Sequence, residues 1–329
     1  MDPWHRSAAA ASLLWPASIA FGLLVFLRRV LFRLRVLKSS HPGIPVIVVG
    51  NITVGGSGKT PIVLWIAEFL KKNGWSPAII SRGYGTAVQA PRAATIADDA
   101  AQVGDEPIVL SRRSGCPVWI GADRVAVAAA LRAQHKEVDV LILDDGLQHY
   151  AMRRDLEIAV LDSRGVGNGR LLPAGPLREG ASRLKSVNAV VANGFEKPGW
   201  FSMKLEGETL HRMTDAAERR PASAFAGQPV HAIAGIGNPN RFFLHLRALG
   251  VRALPHPFPD HHPFTARDIA EATAAQPGLP VVMTEKDAVK LRRAAQANWW
   301  VLPVTARPDA AFGDWLLRRA NEWRRPQAA

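Results

Sequence analysis

Short apolar blocks recur along the first two-thirds of the chain: "PVIVVG" (45–50), "SPAII" (76–80), "PVWIG" (117–121), "DVLILDDG" (139–146), "LEIAVLD" (156–162) and "NAVVANG" (188–194). They run continuously instead of alternating, the pattern of strands covered on both faces. Between the first two, "TPIVLWIAEFLKKNG" places apolar residues at helical spacing and stops at Gly74. Strand then helix, repeated, predicts a mostly parallel sheet flanked by helices. After about residue 200 the rhythm changes. "FSMKLEGETLHRM" alternates like an exposed strand, and "ERRPASAFAGQP" reads as a linker. A second series follows: "VHAIAGIG", a helix near 239–249, "VRALPHPFPDHHPF", "LPVVMTEKD", "NWWVLPV" and a closing helix in "DAAFGDWLLRRANEWRR". The expectation is a larger α/β core and a smaller C-terminal α/β domain, with no internal repeat or low-complexity tract.

The N-terminus breaks this pattern. Residues 13–27, "LLWPASIAFGLLVFL", are almost wholly apolar, and "RRVLFRLRVLK" then spaces Arg28, Arg29, Arg33, Arg35 and Lys38 among Val and Leu. A membrane span takes about 20 apolar residues; this run is shorter and holds Pro16. A signal peptide carries its basic residues before the apolar stretch, not after it. The pattern predicts an amphipathic helix lying in a membrane interface, its cations at anionic headgroups.

Composition adds limits. At 329 residues and 48% hydrophobic content the chain buries a large core, and its single cysteine, Cys116, excludes a disulfide framework. Forty-one Lys+Arg against 28 Asp+Glu give a formal charge of +13, which favours a polyanionic partner. Nucleic acid is not the expected one: no nucleic-acid-binding module is recognisable, and much of the excess is arginine beside the apolar helix.

Candidate chemistry begins at "NITVGGSGKT" (51–60), between the first strand and its helix. A glycine-rich turn there lets backbone N–H groups converge on an anion, and the helix N-terminus adds partial positive charge. The candidate cradle is Thr53, Val54, Gly55, Gly56, Ser57, Gly58, Lys59 and Thr60, with Lys59 directed at the β/γ-phosphates of a nucleotide and Thr60 at Mg²⁺. The usual G-x-x-x-x-G-K-[ST] spacing puts glycine where this chain has Thr53. "DVLILDDGLQH" ends its strand in Asp144 and Asp145, where a P-loop fold keeps its metal-managing carboxylates; the same pair could cap the next helix. His149 reads equally as a site or a structural histidine, and Asn193 as a base-reading or a turn asparagine. Together these features predict a P-loop NTPase-like fold and a nucleotide hydrolase or phosphoryl transferase.

The chain resembles the tetraacyldisaccharide 4'-kinases of lipid A biosynthesis. The resemblance is carried by "GNITVGGSGKTP", "SRGYG" (81–85), "VGDEP" (103–107), "GADR" (121–124), "LDDGLQH" (143–149), "LLPAGPLRE" (171–179), "FPDHHPF" (258–264) and "TEKDAVK" (284–290). That family's extended loop accommodates the off-pattern Thr53. The resemblance implies transfer of the ATP γ-phosphoryl to the 4'-hydroxyl of a tetraacylated glucosamine disaccharide 1-phosphate. It also implies peripheral or monotopic attachment to the cytoplasmic face of the bacterial inner membrane. A sugar hydroxyl is a weak nucleophile, so a carboxylate that accepts its proton helps. The resemblance makes Asp105 that carboxylate and His261 its orienting partner; by residue pattern alone Asp105 reads equally as a helix N-cap. On the same footing Arg178 is a cation for the transferring phosphoryl and Glu179 a carboxylate on or near Mg²⁺. Arg82, Tyr84 and Arg124 are candidates to grip the acceptor's phosphate or sugar, and Gln148 and His149 to contact nucleotide or acceptor.

The implied organisation is a membrane-interface helix (1–40), a P-loop kinase core (41–200), a strand and linker (201–228) and a smaller α/β domain (229–329). The rival reading is a membrane-attached regulatory or partition-type NTPase. Guanine reading needs Asn-Lys-x-Asp, whereas "TEKD" has Glu285 at the lysine position; a partition ATPase carries lysine before Gly-Gly, where this chain has Val54. No sequence feature specifies a protein partner.

Overall fold

The computed structural model describes residues 13–83, 85, 88 and 90–324. The chain opens with helix α1 (Trp15–Arg33), then β1 (Val46–Gly50), α2 (Lys59–Lys72), β2 (Pro77–Ser81) and β3 (Arg92–Ala93). Next come α3 (Ala100–Val103), α4 (Asp105–Ser114), β4 (Val118–Ile120), α5 (Arg124–Gln134), β5 (Val140–Asp144) and β6 (Leu156–Asp162). Strands β7 (Ala189–Asn193), β8 (Phe201–Glu206), β9 (Thr209–Arg212) and β10 (Arg219–Pro221) follow. The remainder is β11 (Pro229–Ala234), α6 (Pro239–Ala248), β12 (Arg252–Pro257), α7 (Ala266–Thr273), β13 (Val281–Thr284), α8 (Glu285–Ala288), β14 (Trp299–Leu302), β15 (Thr305–Pro308) and α9 (Ala310–Arg324).

Among the described residues these strands form two sheets. The larger runs β15-β8-β7-β6-β1-β5-β2-β4-β3, parallel from β8 to β4 with an antiparallel strand at each edge. Strands β1, β2, β5 and β7 are buried along their whole length, which is why they read as unbroken apolar runs. Helix α2 covers one face with Ile62, Val63, Ile66 and Leu70, all fully buried at helical spacing. Each such aliphatic side chain taken from water contributes about 1.5–3 kcal/mol. The smaller sheet runs β10-β9-β14-β13-β11-β12, with β14 to β12 parallel, β9 antiparallel to β14 and β10 antiparallel to β9.

The sheets do not divide the chain at residues 201 and 229. Strand β8 extends the larger sheet beside β7, and β15 returns from the far end of the chain to pair with β8. Asp309 fixes that return by accepting from Ser202 N at 2.6 Å, and Phe312 and Leu316 of α9 are fully buried in the larger core. The stretch read as a linker contains β10, and its Phe225 packs on Trp300 with ring centroids 5.2 Å apart. One alternating segment, 201–213, thus supplies strands to two different sheets, and alternation alone carries no signal for that switch.

Helix α1 is longer than the apolar run suggested. Pro16 lies in its first turn, where a missing N–H breaks no helical bond, so the helix continues through Arg33. It is long and apolar enough to cross a membrane by length and composition. One stripe of it is occupied: Ser18 Oγ donates to Leu171 O at 2.7 Å, Arg29 Nη2 donates to Ser186 Oγ at 3.1 Å, and Phe32 lies 5.9 Å from the Tyr150 ring. A Cβ on Gly22, in the same stripe, would fall 2.7 Å from Leu171 Cδ1. The opposite face exposes Ile19, Leu23, Leu24, Phe26 and Leu27. Residues 1–12 of the expected segment lie outside the described residues.

Candidate active site

The loop after β1 closes into a phosphate-sized cradle because other segments hold it. Gly58 has φ +97, and a Cβ there would stand 2.4 Å from Asn193 Nδ2. That amide donates to Ser57 O at 2.9 Å, so Asn193 braces the loop from the end of β7. Asn51 Nδ2 reaches both Thr53 Oγ1 and Gly55 O at 3.3 Å, which gives Thr53 a structural task where the common pattern has glycine. The "LLPAGPLRE" segment is laid along the entrance by Val54 N donating to Pro176 O at 2.9 Å and Arg178 N donating to Ile52 O at 2.7 Å. From the smaller sheet, the loop after β11 presses on the cradle: a Cβ on Gly237 would lie 2.1 Å from Gly56 N. Arg164 ties the two together, donating to Gly56 O at 3.0 Å and Gly237 O at 3.2 Å while paired with Asp162 at 2.9 Å.

Between the sheets lies a cavity of about 700 Å³ lined by residues 54–61, Asp145, Arg178, Asn193, Arg241, His261 and Lys286, among others. Lys59 Nζ stands 3.6 Å from Asp145 Oδ1, and Arg178 Nη1 2.8 Å from Asp145 Oδ2. Asp145 has φ +50, a left-handed backbone uncommon outside glycine, and it turns sharply off the end of β5. Burial would raise its pKa, but the cations of Lys59 and Arg178 hold the carboxyl well below the usual range. Asp144 goes the other way: burial, then Glu106 and Asp145, push it up to about 7. Both Asp144 oxygens and Ser57 Oγ are buried without hydrogen-bond partners among the described residues. Unsatisfied carboxylate and hydroxyl oxygens beside a phosphate cradle fit a hard divalent cation such as Mg²⁺ and its nucleotide.

Asp105 and His261, distant in sequence, meet across the sheets, with His261 Nδ1 lying 3.1 and 3.2 Å from the two carboxylate oxygens. Asp105 sits in the first turn of α4, where Oδ1 also accepts its neighbour's Glu106 N–H at 2.8 Å. Burial alone would raise its pKa; the His261 hydrogen bond and the ammoniums of Lys286 and Lys290 hold it well below the usual carboxylate range. His261 is raised above its ordinary value, chiefly by that same hydrogen bond. His261 lines the cavity, whereas Asp105, 6% exposed, is in contact with it but outside the lining.

Both carboxylate oxygens of Glu179 have protein partners. Its Oε1 accepts from Gln148 Nε2 at 2.9 Å, its Oε2 accepts from the Tyr150 hydroxyl, and Arg183 Nε stands 3.6 Å away. At 2% exposed, this carboxylate braces Gln148 and Tyr150. Gln148 also donates to Asn51 O at 3.0 Å, which ties its amide to the cradle. Arg124, at the start of α5, is buried, which lowers its pKa to about 10, and Nη2 donates to Asp145 O at 3.4 Å. Burial, then Arg124 and Arg154, lower His149 to about 4, leaving a neutral imidazole; Arg82 and Arg28 lie within electrostatic reach of this corner. Tyr84 lies outside the described residues. Sequence reasoning missed Arg164, Arg241 and Lys290. Arg241 carries a buried terminal nitrogen with no partner among the described residues, and its "GIGNPNR" string follows an apolar strand as a phosphate-facing turn does.

A glycine-rich cradle between a parallel strand and a helix, faced by Lys59, Arg178 and the carboxylates ending the adjacent strand, defines a P-loop nucleotide-dependent phosphotransferase. The tetraacyldisaccharide-1-P 4'-kinase family matches residues 10–321, and the chain belongs to that family. A tetraacyldisaccharide 4'-kinase from Azoarcus sp. (strain BH72) is 47% identical over 330 residues, covering 98% of this chain and 96% of its own. One from Pseudomonas aeruginosa (strain UCBPP-PA14) is 46% identical over 321 residues, covering 96% and 95%. A crystal structure of LpxK from Aquifex aeolicus in complex with ATP has a TM-score of 0.76 to this chain at 28% identity, covering 94% of this chain and 99% of that one.

Proposed function

We propose that this chain transfers the γ-phosphoryl of ATP to the 4'-hydroxyl of a tetraacylated glucosamine disaccharide 1-phosphate, a step of lipid A biosynthesis. The observation that carries the reading is the meeting, in one cavity, of the phosphate cradle and His261, itself bonded to the buried Asp105, beside an apolar helix docked on the segment that bears Arg178. The hydroxyl oxygen forms a bond to the γ-phosphorus as the bond to the β–γ bridging oxygen breaks, releasing ADP. The hydroxyl proton passes to the Asp105–His261 pair, which titrates as one unit with His261 as the cavity-facing member. Lys59 and Arg178 stabilise charge on the transferring group. Thr60, Asp144 and Asp145 would hold Mg²⁺, which supplies charge neutralisation on the β- and γ-oxygens when bound. The corner of Arg82, Arg124 and His149, on the side toward Arg28 of α1, suits the acceptor's 1-phosphate. With α1 in the bilayer interface, the acceptor is met at the cytoplasmic face of the inner membrane.

The test is purified protein with γ-labelled ATP, Mg²⁺ and a detergent-dispersed tetraacyl disaccharide 1-phosphate. Label should reach the lipid, and it should fail to do so when the 4'-hydroxyl is absent. ATP turnover that proceeds at the same rate without any lipid would overturn the reading in favour of a free-standing NTPase.

A further inference from the structure

The "TEKDAVK" stretch has no task in the reading above, yet it ends in a buried charge cluster beside Asp105. Lys290 follows α8; its side chain is 9% exposed, and its ammonium stands 3.2 Å from Asp105 Oδ2 and 3.3 Å from Asp287 Oδ1. Asp287 has no exposed surface, and its Oδ2 accepts from Gly235 N at 3.1 Å and from the Thr284 hydroxyl at 2.7 Å. The Gly235 carbonyl in turn accepts from the His261 backbone N–H at 3.2 Å. The series Asp287, Lys290, Asp105, His261 therefore closes on Gly235, so one strand end of the smaller sheet anchors the cation behind Asp105 and the histidine in front of it. Phe264 shields Lys290 on another side, its ring 5.4 Å from Nζ. Among the described residues, other charges facing the pair are Lys286 and Glu106, bonded to each other, and Asp260, 3.8 Å from His261 Nε2.

We propose that Lys290 is a positioning residue for phosphoryl transfer: anchored by Asp287, its ammonium fixes the Asp105 carboxylate so that His261 is presented to the cavity in one orientation. The inference rests on the Asp105–His261 pair taking the acceptor's proton. Three buried charges cost more to desolvate than an apolar filling of the same space, and they bind their neighbours' orientation tightly in return.

Lys290→Met alone strands Asp287 as an unpaired buried carboxylate and risks unfolding, so the decisive protein is Asp287→Asn/Lys290→Met, which removes both charges. Its kcat should fall by roughly tenfold or more with the KM for ATP nearly unchanged. The acid limb of kcat should move to higher pH, because losing the cation strengthens the hold of both Asp105 and His261 on a proton. A folded double variant with wild-type kcat and pH profile, or one whose loss lies wholly in KM, overturns the proposal. Lys290→Arg keeps the charge and should leave the acid limb in place even if the double variant does not fold; a displaced limb there also overturns it. Asp105→Asn run in parallel separates the two claims. Full activity in Asp105→Asn removes the proton-accepting pair itself, whereas an inactive Asp105→Asn beside a normal double variant removes only the role of Lys290.

Discussion

Lys59 is 8% exposed and its only anionic neighbour within ion-pair reach among the described residues is Asp145, so its charge is held at the cradle by a partner that Arg178 already shares. A nucleotide phosphate gains most from such a cation when charge builds up in transfer. Lys59→Ala should therefore lose about 10²–10³-fold in kcat, and a folded variant with near-normal lipid phosphorylation would remove the cradle assignment. The Asp105–His261 pair makes a separate prediction, about stability. His261 is raised above its ordinary 6.5, so its pairing contributes fully below that value and is lost as pH rises through the raised one. Asp105 is depressed below 3.8, so its share is present above that value and lost only in strong acid. The stability gap between wild type and His261→Asn in urea melts should thus be larger at pH 6 than at pH 8.5; an equal gap at both would argue against a charged pair. The places of Lys59 and Thr60 at the start of the helix after β1, and of Asp144 at the end of β5, were legible from the strand–loop–helix spacing. The partners of Glu179 were not: Gln148 and Tyr150 come from another segment, and nothing in "PLRE" reports that they bond both its oxygens.

At the scale of elements, the docked stripe of α1 connects the apolar N-terminus to the segment that places Arg178. Gly22 lets the helix approach Leu171, since any side chain there would meet Leu171 Cδ1. Gly22→Leu should push the helix off that segment and lower turnover on bilayer-embedded acceptor several-fold, while equilibrium ATP binding by the cradle stays within about twofold. Loss of ATP binding in that variant would mean the segment 171–179 supports the cradle more than the acceptor side. Continuous apolar strands and the helix after the cradle were readable from pattern, because burial on both faces writes itself into composition. The extent of α1 was not, since Pro16 reads as a breaker until its place in the first turn is known. The pairing of β8 with the edge strand β15 was equally hidden: it depends on Asp309 meeting Ser202 across a long separation in sequence.

For the whole molecule the question is how a soluble nucleotide site reaches an acceptor that stays in a membrane. The body holds one stripe of α1, and the opposite face, with Leu23, Leu24, Phe26 and Leu27, is exposed among the described residues. Arg28, Arg29, Arg33, Arg35 and Lys38 follow in sequence, and Arg28 lies within electrostatic reach of His149 in the cation corner. A helix clamped to the body along its length suits the interface better than a crossing, which would draw the body's polar surface into hydrocarbon. Each basic residue near an anionic surface contributes about 1 kcal/mol, and the apolar face adds a part that salt does not screen. Deleting residues 1–38 should release the protein from phosphatidylglycerol-containing vesicles, whereas high salt should detach the intact chain only in part. The truncated protein should still bind ATP, because no cradle residue lies in the deleted segment, and its phosphorylation of embedded acceptor should fall at least tenfold while detergent-dispersed acceptor suffers less. Equal vesicle binding and equal rates for the two proteins would mean that the lipid reaches the cavity by a route in which α1 has no part.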